Sequence, residues 1–227
     1  MTLNLWSFFV MIFNMILEKL NSLQIAFIIA LPVAVILLVV VFVVIPVNKR
    51  HQKKNFGEYC YKAIYRIAFD EDYYLINNFK FKPDPTTLVR IDHILFGNKY
   101  IYVITSAYFD GDLTGKESDA SLILVSKKDK KYYTDNKYET SKALVKYLST
   151  TTGINEGMFV GIVVVNNDCK LCIETNNKFY YLIQRNKLKK LIKAIESRNV
   201  GNINATQLEA AVKAIDKLNR TKKNENK

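Results

Sequence analysis

Three kinds of residue in this chain have types and spacings suited to chemistry. Cys169 and Cys172 stand in Asp-Cys-Lys-Leu-Cys, a spacing used by metal and redox pairs. A zinc site takes four ligands, and neither a second pair nor a suitably spaced histidine accompanies them. With Cys60 the only other thiol, the three read as reduced cysteines. His93 directly follows Asp92, and His51 sits among lysines. Two histidines without a suitably paired serine or cysteine argue against a hydrolytic triad. With 8 glycines in all, the chain contains no glycine-rich phosphate loop. The third kind is basic: KKDKK at 127–131, RNKLKK at 185–190 and RTKK at 220–223. A helix bearing Arg185, Lys187, Lys189, Lys190 and Lys193 suits the phosphates of nucleic acid or an anionic leaflet. Tyr132, Tyr133, Tyr180 and Tyr181 lie near these cations and suit base stacking. A solvated lysine-rich surface accounts for the same bias.

The placement of charge shows what must carry these residues. The 227 residues hold 33 Lys and Arg against 21 Asp and Glu, a net charge of +12. Residues 1–47 contain only Glu18 and Lys19, so the remaining 180 residues carry the whole excess. This division excludes a uniform globular protein and separates a neutral apolar anchor, 1–47, from a basic domain. From 25 to 47 the chain reads IAFIIALPVAVILLVVVFVVIPV, 23 residues without a charge, enough to span a bilayer as a helix. Pro32 and Pro46 are expected near its ends, where a lost backbone bond costs least. Lys49, Arg50, Lys53 and Lys54 follow it in a basic juxtamembrane linker, 48–56. By the positive-inside rule they place residues 48–227 in the cytoplasm of a cell-membrane protein. A second, shorter apolar run, 2–17, carries Asn4, Ser7, Met11, Asn14 and Glu18 on one helical stripe. It suits a first span of a hairpin or an interfacial helix, so the protein is single or double pass. A signal sequence suits it least, since it lacks a basic start and a cleavage site.

Periodicity then orders the basic domain. A helix is expected over 57–69, a strand over 73–81, and a hairpin across 86–109 turning at Gly97–Asn98. A loop is expected at 110–119, then a strand at 121–126, a turn about Asp129 and a short return at 131–133. A helix at about 139–149 precedes MFVGIVVVNN (158–167), a valine-rich strand suited to a sheet centre. Two further strands, KLCIE and KFYYLIQ, lead to helices at 187–197 and 205–220; the tail, 221–227, is too polar to order itself. The fold class is α/β: an N-terminal transmembrane helix, then a mixed central sheet with C-terminal helices.

Within this order FGEYCYKAIYRI and RIDHILFGNKYIYVITSAYFDGDLTG resemble the nuclease-related domain, NERD, over about residues 54–170. The domain is accordingly set at 57–200, with 201–220 as a C-terminal helix. The resemblance implies a restriction-endonuclease-like fold of the PD-(D/E)xK kind. In that fold an Asp, and a Glu two positions before a Lys, surround Mg²⁺ on adjacent strands. Carboxylate oxygens hold the hard cation while the lysine balances developing charge.

Carried over residue by residue, Gly57 and Glu58 match the opening pair, and Asp92 matches the metal-binding Asp. The register, confirmed by Gly111, puts Thr105 at the Glu position, Ser106 at the Thr and Ala107 at the Lys. Near Asn136 the family shows Asn-Pro-x-x-Gln, but Lys137 and Thr140 stand at the Pro and Gln. Glu58 and Asp92 are thus the remnant catalytic candidates, with Asp92 the metal ligand only in an active protein. Thr105 and Ala107 are degenerate positions. Asp110 and Asp112 lie past the strand end, while Lys99 is the candidate for a relocated lysine. The expected function is a degenerate, membrane-anchored NERD-like module that binds nucleic acid or scaffolds, without a cofactor. The alternatives are a Mg²⁺-dependent nuclease using Glu58, Asp92 and a relocated lysine, and a structural membrane protein that organises protein partners.

Overall fold

The structure is a computed structural model describing residues 8, 10, 11 and 22–219, with backbone only for 22–29. The expected stripe of residues 2–17 and the tail 221–227 lie outside the described residues, apart from helical Phe8, Val10 and Met11. The chain divides into two compact units, one ending at Lys54 and one beginning at Asn55.

The first unit is helical from α1 (Ser22–Val39) through a π-helical turn (Val40–Val44) to α2 (Ile45–Lys54). Among the described residues one helix, Ala30–Lys54, is long and apolar enough to cross a membrane. The sequence puts both prolines near its ends, but neither ends the helix: it runs from Ser22 before Pro32 to Lys54 after Pro46, and the basic stretch 48–54 is itself helical. The wide turn immediately precedes Pro46, whose ring would crowd the carbonyl four residues back, at Phe42; widening the turn relieves that clash.

In the second unit, α3 (Phe56–Glu71) leads into β1 (Tyr74–Phe81), β2 (Val89–Phe96) and β3 (Ile101–Ala107), three antiparallel neighbours. β4 (Gly111–Lys116), β5 (Ser121–Ser126) and β6 (Lys131–Asp135) follow, then α4 (Lys137–Thr152) and β7 (Phe159–Val165). β8 (Leu171–Glu174), β9 (Tyr180–Gln184), α5 (Leu188–Glu196) and α6 (Ala205–Leu218) complete the described chain. A five-stranded sheet runs β1-β2-β3-β7-β9, with β7 parallel to both neighbours. A four-stranded sheet runs β6-β5-β4-β8.

The second sheet corrects the expected loop at 110–119. GDLTGK offers a single apolar residue, Leu113, which is fully buried. Its pairing comes from outside: β5 on one side and β8 on the other supply the backbone partners that local propensity did not announce. The expected turn is present, with Asp129 at φ 56, and β6 pairs back along β5.

Every residue of β7 is buried, as its valine run implies. On one sheet face, Val160, Ile162 and Val164 meet α3 (Cys60, Ile64) and α5 (Leu188, Ile192, Ile195). On the other, Phe159 joins α4 (Leu144, Val145, Leu148) and α6 (Ala211, Ile215). Val163 and Val165 pack under the second sheet with Leu113, Leu122 and Cys169. At Gly161 an added Cβ would collide with Ser141 Oγ of α4 and the Tyr180 ring. Gly161→Ala is therefore expected to cost about 1–3 kcal/mol by overpacking, read as a lower urea midpoint at unchanged slope.

Candidate functional site

Strict alternation along a strand puts residues three apart on opposite faces. β1 and β2 break that rule at the same rung. Phe79 and Phe81 share a core cluster with Ile76, and their cross-strand partners Ile91 and Val89 share it with Ile94. Both strands thus lose half a pleat between 76 and 79 and between 91 and 94. Asn78, at φ 50, absorbs the change in β1, and asparagine is among the few residues that tolerate that conformation.

The residues at the switch, Asn77, Asn78, Asp92 and His93, line a cleft of about 430 Å³. Gly57, Glu58 and Tyr61 of α3 and Ser106 of β3 complete its lining, and among the described residues no lysine or arginine joins them. Asp92 Oδ2 accepts two hydrogen bonds from Ser106, from the backbone N–H at 2.7 Å and from Oγ–H at 2.6 Å. His93 Nδ1 lies 2.7 Å from Asn77 Oδ1 and donates to it when protonated there. The ring stacks on Tyr61, with centroids 6.1 Å apart. Nε2 is then a bare acceptor, buried and without a hydrogen-bond partner.

Of the expected site residues, Glu58 and Asp92 line this cleft and the others do not. Glu58 reaches the cleft from the first turn of α3 but is exposed and paired with Lys62 at 2.7 Å. Thr105 and Ala107 alternate with Ser106 along β3, and neither lines the cleft; Ala107 packs against the cluster under the second sheet. Lys99 does not line the cleft. Its Nζ donates to the Arg198 carbonyl at 2.5 Å and its N–H to Glu196 at 3.1 Å. It precedes Thr105 by six residues, roughly 20 Å along an extended chain. Asp110 faces Lys127 at 4.0 Å, and Asp112 accepts the Lys170 N–H. Asn136 is a buried N-cap: it accepts from Tyr138 N–H and donates to the Glu117 and Asp119 carbonyls.

Glu58 and Asp92 bring two carboxylates to the cleft, a number that magnesium uses beside water and phosphate oxygens, while Oδ2 of Asp92 already accepts from Ser106 and Glu58 pairs with Lys62. Among the described residues no three of His, Cys, Asp and Glu converge on a common point.

Sequence reasoning passed over Ser106, Asn77 and Tyr61. Ser106 stands one position from the two that drew attention. The consecutive asparagines in the middle of β1 were the available signal, since they weaken a strand and suit a kink.

The basic helix is partly committed. Lys189 pairs with Asp70 at 2.5 Å and Lys193 with Glu71 at 2.9 Å, while Arg185 lies over the Tyr59 ring. Lys187 and Lys190 are exposed. On the β5–β6 hairpin Lys127, Lys128, Lys130, Lys131, Tyr132 and Tyr133 are all exposed. Cys60 and Cys169 are buried free thiols, pushed up to about 12 and about 11 by burial; Cys172 is exposed.

A mixed five-stranded sheet flanked by helices, with an aspartate on the second strand opening to a cleft under α3, defines an α/β domain. The chain belongs to the nuclease-related domain family, NERD, whose family model matches residues 53–166. A crystal structure described as a protein of unknown function, AF1548, covers 70% of this chain and 95% of its own at 9% identity, with a TM-score of 0.36. No curated protein matches the chain.

Burial holds the His93 imidazole below its ordinary pKa of 6.5, outweighing the attraction of Asp92 for the protonated form. The unfolded state therefore takes up the proton first. Stability from neutral His93 is complete above pH 6.5 and is lost as pH falls from there to the folded pKa. Urea midpoints measured between pH 7.5 and 5 should decline for the native chain, and His93→Phe should remove that portion of the decline.

Proposed function

We infer that this protein is a membrane-anchored NERD-family module, held on the cytoplasmic side, that binds nucleic acid rather than cleaving it. The carrying observation is the separation of charge in the domain. Glu58 and Asp92 line the cleft with no lysine or arginine in its lining, while exposed lysines and tyrosines gather on the β5–β6 hairpin. Two carboxylates repel a phosphate diester unless a cation intervenes, so the cleft is poorly suited to the backbone of a substrate. Lys128, Lys130 and Lys131 supply cations for phosphates, and Tyr132 and Tyr133 offer π-faces to unpaired bases. Lys187, just before α5, and Lys190 within it are two further exposed cations.

The nuclease reading draws support from one fact, that Glu58 and Asp92 line the same cleft. Thr105 and Ala107, at the family's Glu and Lys positions, do not supply the missing groups.

Two measurements on the full chain in detergent separate the readings. Single-stranded nucleic acid should bind with an affinity falling steeply with salt. The triple substitution Lys128→Ala, Lys130→Ala, Lys131→Ala should reduce the salt slope by about 0.7 for each phosphate no longer neutralised. Incubation with Mg²⁺ or Mn²⁺ and a supercoiled plasmid should give equal background nicking for the native chain and Asp92→Ala. Nicking that disappears in Asp92→Ala would establish the nuclease reading. Salt-independent or absent binding would leave the protein-scaffold reading.

A further inference from the structure

Helix α3 has two apolar faces where a surface helix needs one. Cys60, Ile64, Ile67 and Ala68 bury one stripe against the central sheet. On the outer side Tyr61, Tyr65 and Phe69 recur at intervals of four and form a second stripe. Tyr65 is 54% exposed and Phe69 78%, and the Tyr61 and Tyr65 rings lie 5.9 Å apart. Lys62, Arg66 and Asp70 flank the stripe, and with it they line an open groove of about 460 Å³. The two carboxylates beside it are engaged: Glu58 pairs with Lys62 and Asp70 with Lys189.

We propose that this aromatic and basic face of α3 docks onto the anionic lipid headgroups of the membrane that holds the anchor. Three observations select that occupant. Tyrosine and phenylalanine interleaved with lysine and arginine is the chemistry of the bilayer interface, where rings sit at headgroup depth and cationic side chains snorkel to phosphate. With Glu58 and Asp70 engaged in ion pairs, Arg66 on the rim of the groove complements an anionic surface. The chain itself limits the distance, since α3 begins at Phe56, nine residues after the apolar run ends at Val47. Tethering keeps the face at high effective concentration near the leaflet, so a weak attraction suffices. Tyr61 belongs both to the stripe and to the lining of the polar cleft, where it stacks on His93. Docking therefore brings the cleft mouth to headgroup level.

The inference rests on the membrane-anchored reading, and the experiment tests the two separately. The full chain, with exposed Cys172 replaced by serine, carries one spin label at Phe69→Cys, Ile36→Cys or Tyr133→Cys. It is reconstituted in vesicles of phosphatidylcholine with phosphatidylglycerol, and in vesicles of phosphatidylcholine alone. Collision with oxygen against an aqueous nickel chelate reports lipid exposure. The expected result is bilayer accessibility at Ile36, aqueous accessibility at Tyr133, and lipid exposure at Phe69 that disappears without phosphatidylglycerol. The double variant Lys62→Gln, Arg66→Gln should lower the docked-to-undocked ratio at Phe69 by roughly tenfold. An aqueous Phe69 beside a bilayer-embedded Ile36 overturns the docking and leaves the anchor standing. An aqueous Ile36 overturns both. Spin–spin broadening between Phe69 labels without lipid exposure assigns the face to a second copy of the chain and overturns the lipid docking.

Discussion

The second unit depends on β7, a strand buried on both faces. Six of the seven residues from Phe159 to Val165, all but Gly161, are shared among the three core clusters, so one strand joins the two sheet faces and the second sheet. Its parallel pairing with β3 fixes the far end of β3, where Ser106 sits opposite Val164. Phe109, just past that end, donates its N–H to buried Asn166 just past β7, closing the two strands together. The cleft forms at the margin of this assembly. Its geometry derives from the clamped end of β3 and from a kink the neighbouring pair can accommodate.

That kink explains how polar side chains come to lie together against α3. A regular pair would place Asp92 and His93 on opposite sides of the sheet, one of them in an apolar cluster. The lost half-pleat opens both to the cleft, and the structure compensates unequally. Asp92 gains two charge-assisted bonds from Ser106, the stronger class of hydrogen bond. His93 gains one from Asn77 and leaves Nε2 unpartnered. An unpaired buried acceptor costs on the order of 1–3 kcal/mol, so this rung is held against a penalty by the core on either side of it.

Much of the fold was legible in the sequence. The valine run at 159–165 could only be a central strand, the Gly97–Asn98 turn fixed a hairpin, and the periodicity of 188–195 showed which side of α5 is buried. The residues that form β4 were not legible. Leu113 alone carries an apolar signal there, and the strand exists because two distant strands pair with it. Part of the site was legible as well: Glu58 and Asp92 do line one cleft. The facing of Thr105 and Ala107 depends on where the pleat falls, and the fate of Lys99 on a hydrogen bond to residue 198. Neither has a local signature, since both arise from pairing across the chain.

The charge excess resolves into parts with different consequences. Lys189 and Lys193 clasp α5 onto the last turn of α3 through Asp70 and Glu71, where exposed ion pairs contribute little stability but use up cations. Arg185 covers Tyr59. The helix that looked most suited to phosphate therefore retains chiefly Lys187 and Lys190. The β5–β6 hairpin keeps Lys128, Lys130 and Lys131, none with an ion-pair partner among the described residues. An electrostatic footprint belongs to cations left uncompensated rather than to cations counted. By that measure the hairpin, and not α5, is the basic surface of this domain.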